Sequence, residues 1–208
     1  SSSSSMSAKT LSEHNKPYCF MLQPKYILFE VHNGKFFIIG RNYDNCIIIY
    51  SDEELPSKSN PNKYSNIIHE IFTGSFVSCL YKISDTSFFS GHKNGRVFEW
   101  EITYNEVKIK KNTFFSKTTR TIHSITMKRN ILAHDNAMIT AIHYNNVHNV
   151  LITAGDDGNI YIRKYYDFEL LNVISTNRGN ELFFNDVIIS NYDLIYAQYT
   201  SKRNVGGN

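Results

Sequence analysis

The fold of this chain is decided by the stretch Val150-Leu151-Ile152-Thr153-Ala154-Gly155-Asp156-Asp157-Gly158-Asn159-Ile160-Tyr161-Ile162-Arg163, which is an apolar run, a tight turn and a second apolar run. Asp157-Gly158 stands between two segments rich in β-forming residues. This pair is a strong hairpin signal, because glycine takes a positive φ without a Cβ penalty. The stretch therefore predicts a β-hairpin with Gly158 at its turn.

The same hairpin pattern occurs twice more, earlier in the chain. One copy is Phe89-Ser90-Gly91-His92-Lys93-Asn94-Gly95-Arg96-Val97-Phe98-Glu99-Trp100, in which Gly95 takes the position of Gly158. The other copy is Ile39-Gly40-Arg41-Asn42-Tyr43-Asp44-Asn45-Cys46-Ile47-Ile48-Ile49-Tyr50. A hairpin repeated along one chain indicates an array of similar units.

Further strand-like segments flank each hairpin, so that each unit has four predicted strands. The segment 103–121 is expected to be an insertion before the fourth strand of the second unit. The predicted strands are 25–31, 35–40, 45–51 and 66–72, then 76–82, 87–91, 96–102 and one within 122–132, then 138–144, 150–154, 159–164 and 169–175, and finally 181–189 and 194–200.

Four-stranded antiparallel units that repeat along a chain favour a β-propeller. Each sheet has two faces to bury, and radial stacking covers both of them while leaving only short edges. We therefore predict an all-β, partial propeller over residues 25–208. It has about three complete blades, at about 25–72, 76–132 and 137–175, and part of a fourth at 181–208. Since propellers have four to eight blades, other sequence is expected to supply the rest.

Two segments are predicted to lie outside the blades. Residues 1–24 begin with five serines and are weakly patterned, so they read as a cloning remnant or a disordered leader. The stretch 51–65 is acidic and then rich in Ser, with Pro56 and Pro61, which is typical of an exposed loop.

The composition narrows the class of protein. Hydrophobic residues at 41% and aromatic residues at 14% argue against global disorder, and a net charge of +3 gives no overall case for a polyanion ligand. Cys19, Cys46 and Cys79 are widely separated, which favours a reducing compartment. The apolar runs are too short to span a bilayer, and no signal peptide surrounds Met6, so we predict a cytoplasmic protein.

The units resemble repeats of the WD family, whose pattern is Gly-His, a strand, a hairpin with Asp at its turn, and Trp-Asp ending the third strand. In the third unit, Ala133-His134-Asp135 stands at the Gly-His position and Asp157 stands at the turn. The resemblance implies a buried hydrogen-bond network of His134, Thr153 and Asp157 that fixes the loop to the hairpin. Arg163 occupies the Trp position, so this network lacks one member.

The second unit departs from the same pattern in other positions. It has Trp100, followed by Glu101, but Asn94 replaces the turn Asp and Gly74-Ser75 replaces Gly-His. The predicted core and turn residues of the blades are Trp100, Tyr43, Asp44, Gly95 and Gly158.

A closer resemblance is to the carboxy-terminal propeller of BEACH-domain proteins, the neurobeachin-like family. Gly40-Arg41-Asn42-Tyr43-Asp44-Asn45-Cys46 resembles that family's Gly-Gly-x-Trp-Asp-Asn-Ser turn, and Val77-Ser78-Cys79-Leu80 resembles its Val-Thr-Cys-Leu strand. The likeness covers roughly Tyr26 to Ile174 and implies a scaffold for vesicle or membrane traffic. The later motifs follow in the family's order: Gly91 to Trp100, Leu132-Ala133-His134-Asp135 with Ile139-Thr140, and Asp156-Asp157-Gly158.

The sequence predicts neither catalysis nor a metal or cofactor site. His143 and His148 flank a turn with His134 nearby, but no cysteine accompanies them, so solvated or hydrogen-bonding histidines are favoured over zinc. Asp156 and Asp157 are adjacent in a turn, where carboxylates are usually structural. No nucleophile elbow and no phosphate-binding glycine loop is present.

A basic segment is the best candidate for ligand binding. No acidic residue lies between Val107 and His134, and Phe114 and Phe115 interleave with the cations. We favour a solvated insertion whose charges protect an edge. The alternative is an anionic ligand, for which a membrane fits better than nucleic acid. The cations are Lys108, Lys110, Lys111, Lys117, Arg120, Lys128 and Arg129.

These observations predict a non-catalytic scaffold with protein partners, in vesicle or membrane traffic as part of a BEACH-domain protein, and peripheral to membranes. The alternatives are a WD-repeat adaptor in ubiquitin ligation, RNA processing or chromatin, or direct binding of acidic lipid or nucleic acid by the basic segment.

Overall fold

The computed structural model describes residues 26–31, 34–41, 43–51, 67–112, 115–176, 182–189 and 195–201. The predicted leader at 1–24 and nearly all of the predicted loop at 51–65 lie outside these residues. Every helix or strand in the described part of the chain is a β-strand.

Three four-stranded antiparallel sheets follow one another along the chain, and each is built from consecutive strands. We call them blades 1, 2 and 3. Blade 1 contains β1 (Tyr26–Val31), β2 (Gly34–Arg41), β3 (Cys46–Ser51) and β4 (Ile67–Phe72). Blade 2 contains β5 (Val77–Ser84), β6 (Ser87–His92), β7 (Arg96–Asn112) and β8 (Phe115–Leu132).

The third blade is followed by a two-stranded sheet, which is the described part of a fourth. The predicted architecture, all-β with three complete blades and part of another, is confirmed. Blade 3 contains β9 (Ile139–Asn145), β10 (Val150–Gly155), β11 (Asn159–Lys164) and β12 (Leu170–Ser175), and the partial sheet contains β13 (Leu182–Ile189) and β14 (Ile195–Ser201).

The inner strands of the blades are buried on both faces. All six residues of β10 are buried. Because successive side chains of a strand point to opposite faces, Val150 and Ile152 pack towards β13, whereas Leu151 packs towards blade 2. In the same way Phe88 of β6 faces blade 1 and Phe89 faces blade 3. A sheet with two apolar faces needs a neighbour on each side, and radial stacking provides both.

The core is therefore divided into layers that lie between adjacent sheets. Between blades 1 and 2 are Phe36, Ile38, Ile47, Ile49, Val77, Leu80, Phe88, Trp100 and Ile102. Between blades 2 and 3 are Cys79, Phe89, Val97, Ala133, Ile139, Ile142 and Leu151. Between blade 3 and the partial sheet are Ala141, Val150, Ile152, Ala154, Ile160, Ile162, Phe184, Val187 and Ile189.

The segment 103–121, predicted to be an insertion before the fourth strand, is itself mostly strand in the part that the structure describes. Strand β7 runs to Asn112 and β8 begins at Phe115. The cross-strand pairing continues out to Asn112 and Phe115. The physical reason is that β-branched residues, among them Val107 and Ile109, alternate with the lysines, and this pattern suits an extended two-stranded ribbon.

Antiparallel pairing assigns the connections to two faces. The turns β2–β3, β6–β7 and β10–β11 and the loops that lead from one blade to the next lie on one side, which we call the upper face. The turns β1–β2, β5–β6, β7–β8, β9–β10 and β11–β12 lie on the opposite side, the lower face. Functional side chains can therefore be sorted by the turn that carries them.

Blades 2 and 3 pack so closely at Gly91 that a side chain there has no room. A Cβ at this position would lie 2.5 Å from Cys79 Sγ and 2.7 Å from Ile139 Cγ2. We expect Gly91→Ala to lower the free energy of unfolding by about 2 kcal/mol, since overpacking strains a core. Urea denaturation measures the change. Thr86→Ala, in the exposed turn that precedes the same strand, should change it by less than about 0.5 kcal/mol. Equal effects of the two substitutions would refute this account of the packing.

Candidate functional site

A buried hydrogen-bond network holds the upper face of blade 3. His134, in the loop between β8 and β9, makes a hydrogen bond of 3.0 Å from Nε2 to Thr153 Oγ1. Its Nδ1 lies 3.1 Å from Asp157 Oδ2 in the β10–β11 turn. His134 and Thr153 are fully buried. The structure thus places the three residues of the predicted network in contact, and they join the loop to strand β10 and its turn.

Asp157 also fixes the turn in which it lies. Its Oδ1 accepts a hydrogen bond of 3.0 Å from the backbone N–H of Asn159, and the next residue, Gly158, has a φ of 76°. Burial raises the pKa of the Asp157 carboxyl, but hydrogen bonds from His134 and Asn159 outweigh burial and leave the pKa below its ordinary value. A Cβ at Gly155 would lie 2.4 Å from His134 Nδ1, so the network also requires a glycine there.

Arg163 stands where the resemblance has Trp, and it reaches the same loop. Its guanidinium donates from Nη2 to the carbonyl of Ala133 at 3.1 Å. The guanidinium also lies 5.5 Å from the centre of the Tyr161 ring, and that ring packs edge-on against His134. Burial lowers the pKa of Arg163 from its ordinary value. Arg163 therefore supports the loop from the strand position that Trp would occupy.

Blade 2 has a network of its own, built from different residues. Trp100 Nε1 donates to Ser90 Oγ at 2.8 Å, and the same hydroxyl lies 2.8 Å from His92 Nε2. The other ring nitrogen of His92 lies 3.3 Å from the carbonyl oxygen of Ser75 in the β4–β5 loop. His92 comes from the end of β6 rather than from the loop, so it occupies the place of the loop histidine that Gly74-Ser75 lacks.

Sequence reasoning missed His92 and Ser90. The signal that could have found them is the two-residue period of a strand, since Phe88, Ser90 and His92 alternate on one face of β6 and Trp100 is the cross-strand partner of Phe88. A polar pair on a buried face next to an indole N–H needs partners, and the three side chains supply them to one another.

The β6–β7 turn of blade 2 also contacts the next blade. Gly95 has a φ of 83°, and its carbonyl accepts hydrogen bonds from the backbone N–H groups of Ala133 and His134 at 2.9 and 3.1 Å. A Cβ at Gly95 would lie 1.7 Å from the His134 carbonyl oxygen. Asn94, in the position of the turn Asp, accepts a hydrogen bond from Arg96 N–H at 3.1 Å. The upper-face turns are thus tied to one another.

The upper corner of blade 1 presents exposed aromatic side chains. Arg41 forms ion pairs with Asp44 at 2.6 Å and with Glu70 at 3.2 Å, and its guanidinium lies 5.0 Å from the centre of the Tyr43 ring. Tyr43 is 77% exposed and Phe72 is 73% exposed. The hydrogen bond with Arg41 lowers the pKa of Asp44. Tyr43, one of the predicted core and turn residues, therefore lies in the β2–β3 turn, with its ring on the surface over Arg41.

The same corner joins two connections of the blade. Thr73 donates to the carbonyl oxygen of Asn45 from its backbone N–H at 2.9 Å and from its hydroxyl at 2.8 Å. Tyr43 belongs to the turn that contains Asn45, and Phe72 immediately precedes Thr73. The two exposed rings are therefore held at one corner of the upper face, which we call the aromatic corner (Arg41, Tyr43, Asp44, Glu70 and Phe72).

A buried ion pair joins blades 2 and 3 on the lower side. Glu99 of β7 is fully buried at its side chain and pairs with Arg129 of β8. The hydroxyl of Tyr165 also donates to Glu99. Arg129 donates to the carbonyls of Tyr165 and Tyr166 at 2.6 and 2.7 Å and lies 4.0 Å from the centre of the Phe168 ring. Burial, followed by the hydrogen bond to Glu99, raises the pKa of Tyr165 to about 12.

These contacts correct the predicted basic patch. Arg129 was included in it, but its guanidinium is held between a buried carboxylate, two carbonyls and two rings of blade 3, so it is an interblade residue. Lys128 is exposed at a shift in register within blade 2. The other five cations, Lys108, Lys110, Lys111, Lys117 and Arg120, all lie on the extended part of the β7–β8 hairpin.

The described residues hold no group of three or more His, Cys, Asp or Glu side chains that could bind a metal ion. Of the three histidines that invited a metal hypothesis, His134 contacts Thr153 and Asp157, whereas Nδ1 of His143 lies 3.3 Å from the hydroxyl of Tyr81. No helix in the part of the chain that the structure describes is long and apolar enough to cross a membrane.

Comparison with solved structures identifies the fold as that of WD40 propellers. The WD40 β-propeller domain of Doa1 matches with a TM-score of 0.53 and 13% sequence identity. The match covers 82% of this chain and 44% of that chain, so the present sequence spans less than half of the solved propeller. No family model and no curated protein matches the sequence. The WD-type propeller fold is therefore shown, and the BEACH-domain relationship is not.

The Glu99–Arg129 pair allows a test of the contact between blades 2 and 3. We expect Arg129→Met to lower the free energy of unfolding by about 3 to 5 kcal/mol, because it leaves a buried carboxylate without its cation. Replacing both residues, as Glu99→Leu with Arg129→Met, should recover much of this loss. Arg96→Met, which removes an exposed guanidinium of β7, should cost less than about 0.5 kcal/mol. A double variant as unstable as the single one in urea denaturation would contradict the assignment.

Burial of His92 predicts how stability depends on pH. Burial lowers the pKa of His92 from its ordinary value of 6.5 to about 4. Between these values the unfolded chain binds more protons at this position than the folded chain. The stability that neutral, buried His92 contributes is therefore fully present above pH 6.5. It is lost as the pH falls towards 4, by about 3 kcal/mol in total.

His92→Gln should therefore lose less stability than the unmodified chain when the pH is lowered from about 7 to about 4.5. Urea midpoints at the two pH values measure this difference, and His123→Gln on the exposed part of β8 serves as the control. If the His92 and His123 variants show the same pH dependence as the unmodified chain, His92 is not the group responsible.

Proposed function

We propose that this chain is a propeller segment that acts as a non-catalytic protein-interaction scaffold. The observation that carries the proposal is the aromatic corner on the upper face, where Tyr43 and Phe72 are both more than 70% exposed. Large apolar rings that remain in water on a rigid scaffold are typical of binding surfaces. Tyr and Arg are also the residues that contribute most often to the binding energy of protein interfaces.

The aromatic corner is already ordered in the absence of a partner. Asp44 and Glu70 hold the Arg41 guanidinium from two sides, at 2.6 and 3.2 Å. Arg41 in turn lies beneath the Tyr43 ring, and Thr73 fixes the turn to the end of β4. A partner that binds here has fewer side chains to immobilise, so less of its binding energy is lost as conformational entropy.

The buried networks of blades 2 and 3 support a binding role in preference to a catalytic one. Their histidines, His92 and His134, are fully buried and take part in hydrogen bonds that fix loops. A general base must reach the proton that it removes from a substrate, and these side chains face the interior. We infer that the polar residues of the upper face serve to position its turns for contact with other proteins.

We propose further that the parent is a BEACH-domain protein that acts in intracellular vesicle or membrane traffic, in the cytoplasm and peripheral to membranes. Support comes from the order of motifs over Tyr26 to Ile174, beginning with the turn that carries Tyr43 and Asp44. The alternative is a WD-repeat adaptor of another assembly, in ubiquitin ligation, RNA processing or chromatin. That reading relies on the propeller fold alone and needs no relationship to BEACH-domain proteins.

The aromatic corner is tested with a double variant, Tyr43→Ser with Phe72→Ser. We expect affinity purification from cells to lose at least tenfold of the recovered partner, because each ring is a candidate anchor worth more than about 1 kcal/mol. The matched control is Val147→Ser with Tyr166→Ser, which removes two exposed apolar side chains (62% and 83%) from the lower face. Recovery that falls equally in both variants, or only in the control, would refute the assignment of the upper face.

The identity of the recovered proteins tests the finer proposal. Vesicle coat, tether or membrane-traffic proteins support it, whereas ubiquitin ligase, RNA-processing or chromatin subunits support the adaptor. The full open reading frame gives an independent test, since a BEACH domain upstream of this segment is required. Its absence would overturn the family assignment and leave the scaffold proposal intact.

A further inference from the structure

The outer hairpin of blade 2 extends far beyond the blade. Strand β6 pairs with β7 only as far as Glu101, opposite Ser87. Beyond this point β7 and β8 form a two-stranded ribbon that continues to the pair Asn112 and Phe115. Where the ribbon leaves the blade, the hydroxyl of Tyr104 donates to the carbonyl of Asp85 at 2.5 Å and anchors it.

We call the part beyond this anchor the basic ribbon, which consists of residues 105–112 of β7 and 115–121 of β8. Eight residues of extended strand at about 3.3 Å each span about 26 Å. The ribbon therefore projects from the lower face well beyond the turns of the neighbouring blades. This length is not needed for the blade itself, because the shared sheet ends near Glu101.

The basic ribbon carries a strong excess of positive charge. It contains four lysines, Arg120 and a single acid, Glu106. Arg120 pairs with Glu106 at 2.7 Å, so the one acid is already bound to a cation at the base of the ribbon. The side chain of Lys108 is exposed. From Val107 to Thr119 the sequence has no acidic residue, and four lysines lie in this stretch: Lys108, Lys110, Lys111 and Lys117.

Protection of a strand edge does not account for this arrangement. Charged side chains, lysines especially, do prevent edge-to-edge pairing, but they do not explain why the hairpin continues beyond the sheet that they would protect. Four like charges at the end of a thin ribbon repel one another, and a two-stranded hairpin in water is only marginally stable. An anionic surface removes the repulsion, since it supplies the counter-charge that the segment from Val107 to Thr119 lacks.

The chemistry of the tip favours a lipid surface over nucleic acid. The cations nearest the tip are lysines, which act as point charges at a charged surface, whereas base reading relies on Arg, Asn and Gln in fixed bidentate geometries. Phe115 closes the ribbon opposite Asn112, with Lys111 and Lys117 close by in the sequence. An aromatic residue among lysines at the end of a projecting element suits the boundary between headgroups and acyl chains.

We propose that the basic ribbon docks this protein on an anionic phospholipid bilayer. The lysines contact the phosphate and carboxylate groups of the lipid heads, and the Phe115 end enters the interfacial layer. The inference goes beyond the scaffold function and does not depend on it, because the aromatic corner lies on the opposite face. Protein partners and a membrane could therefore be bound at the same time.

Vesicle co-sedimentation of the full chain tests the proposal. The probes are phosphatidylcholine vesicles with about 30% phosphatidylserine and vesicles of phosphatidylcholine alone. We expect binding to the anionic vesicles only, and a large decrease when NaCl is raised from about 0.1 M to about 0.5 M. Each lysine replaced by Gln should weaken binding about fivefold, so the variant with Lys108, Lys110, Lys111 and Lys117 all replaced by Gln should lose more than about a hundredfold.

A matched variant separates the ribbon from the total charge. Replacing Lys82, Lys93, Arg96 and Lys164 with Gln also removes four positive charges, all of them outside the ribbon, and should leave binding within about twofold. Circular dichroism and thermal melting establish that both variants are folded. Phe115→Ser in the otherwise unmodified chain should weaken binding, with the greatest effect at high salt, where the apolar contact dominates.

Three results would overturn the proposal. The first is equal loss of vesicle binding in the two charge variants, and the second is binding to neutral vesicles that the lysine replacements do not change. The third is tighter binding to a short duplex DNA or a single-stranded RNA than to anionic vesicles at the same salt concentration, which would assign the ribbon to nucleic acid. Loss of protein partners in the Tyr43 and Phe72 variant has no bearing on these outcomes, so the two proposals fail independently.

Discussion

The structure depends on the burial of both faces of the inner strands. In β10, Leu151 and Ile152 are each fully buried, yet they belong to different core layers on opposite sides of the same sheet. The strands of such a sheet cannot cover its two faces. At about 25 cal/mol per Å² of apolar surface, leaving one face in water would cost more than the net stability of a typical domain. The neighbouring blade is therefore part of each blade's core. The closeness of this contact explains why Gly91 and Gly95 have no room for a side chain.

Within this apolar stack, the buried polar groups lie in small closed networks at the ends of the strands. Each of the two upper-face networks contains one histidine and one hydroxyl group. The histidine of blade 2, His92, comes from a strand, whereas that of blade 3, His134, comes from a loop. The lower-side pair of Glu99 and Arg129 adds a buried charge that a hydroxyl, two carbonyls and aromatic rings satisfy. What the blades share is the requirement that a buried polar group be paired, rather than one set of residues. Fixed loops on both faces are the consequence.

The repeat of a turn glycine between β-rich runs was enough to predict the strand order, because Gly95 and Gly158 both adopt the positive φ that such turns require. The contact of His134 with Thr153 could be anticipated, because loop, strand and turn recur in a fixed order. Residues that act between blades could not be predicted. In the sequence, Arg129 is indistinguishable from the other cations of the basic segment. Its partners, Glu99 and the turn that contains Tyr165, lie beside it only in the folded chain. For Tyr43 the sequence predicts a core or turn residue, and only the folded turn shows that its ring lies on the surface.

The outermost hairpin is where a blade can be lengthened without disturbing the stack. The inner strands are fixed in length by the neighbours that cover them, whereas β8 has only β7 beside it, and β7 loses contact with β6 after Glu101. Ile102 and Tyr104 still pack in the layer between blades 1 and 2, but the described residues of β7 that follow them belong to no core layer. Side chains there can be chosen for solubility or for contact with a ligand. In blade 3 the corresponding outer strand, β12, begins at Leu170, soon after β11 ends at Lys164, so its hairpin has no such extension, and all of its residues are exposed. The outer hairpins of blades 2 and 3 therefore differ in the surface that they present outside the core. This difference arises at the outer strand, because packing against a neighbouring blade does not limit the length of that strand.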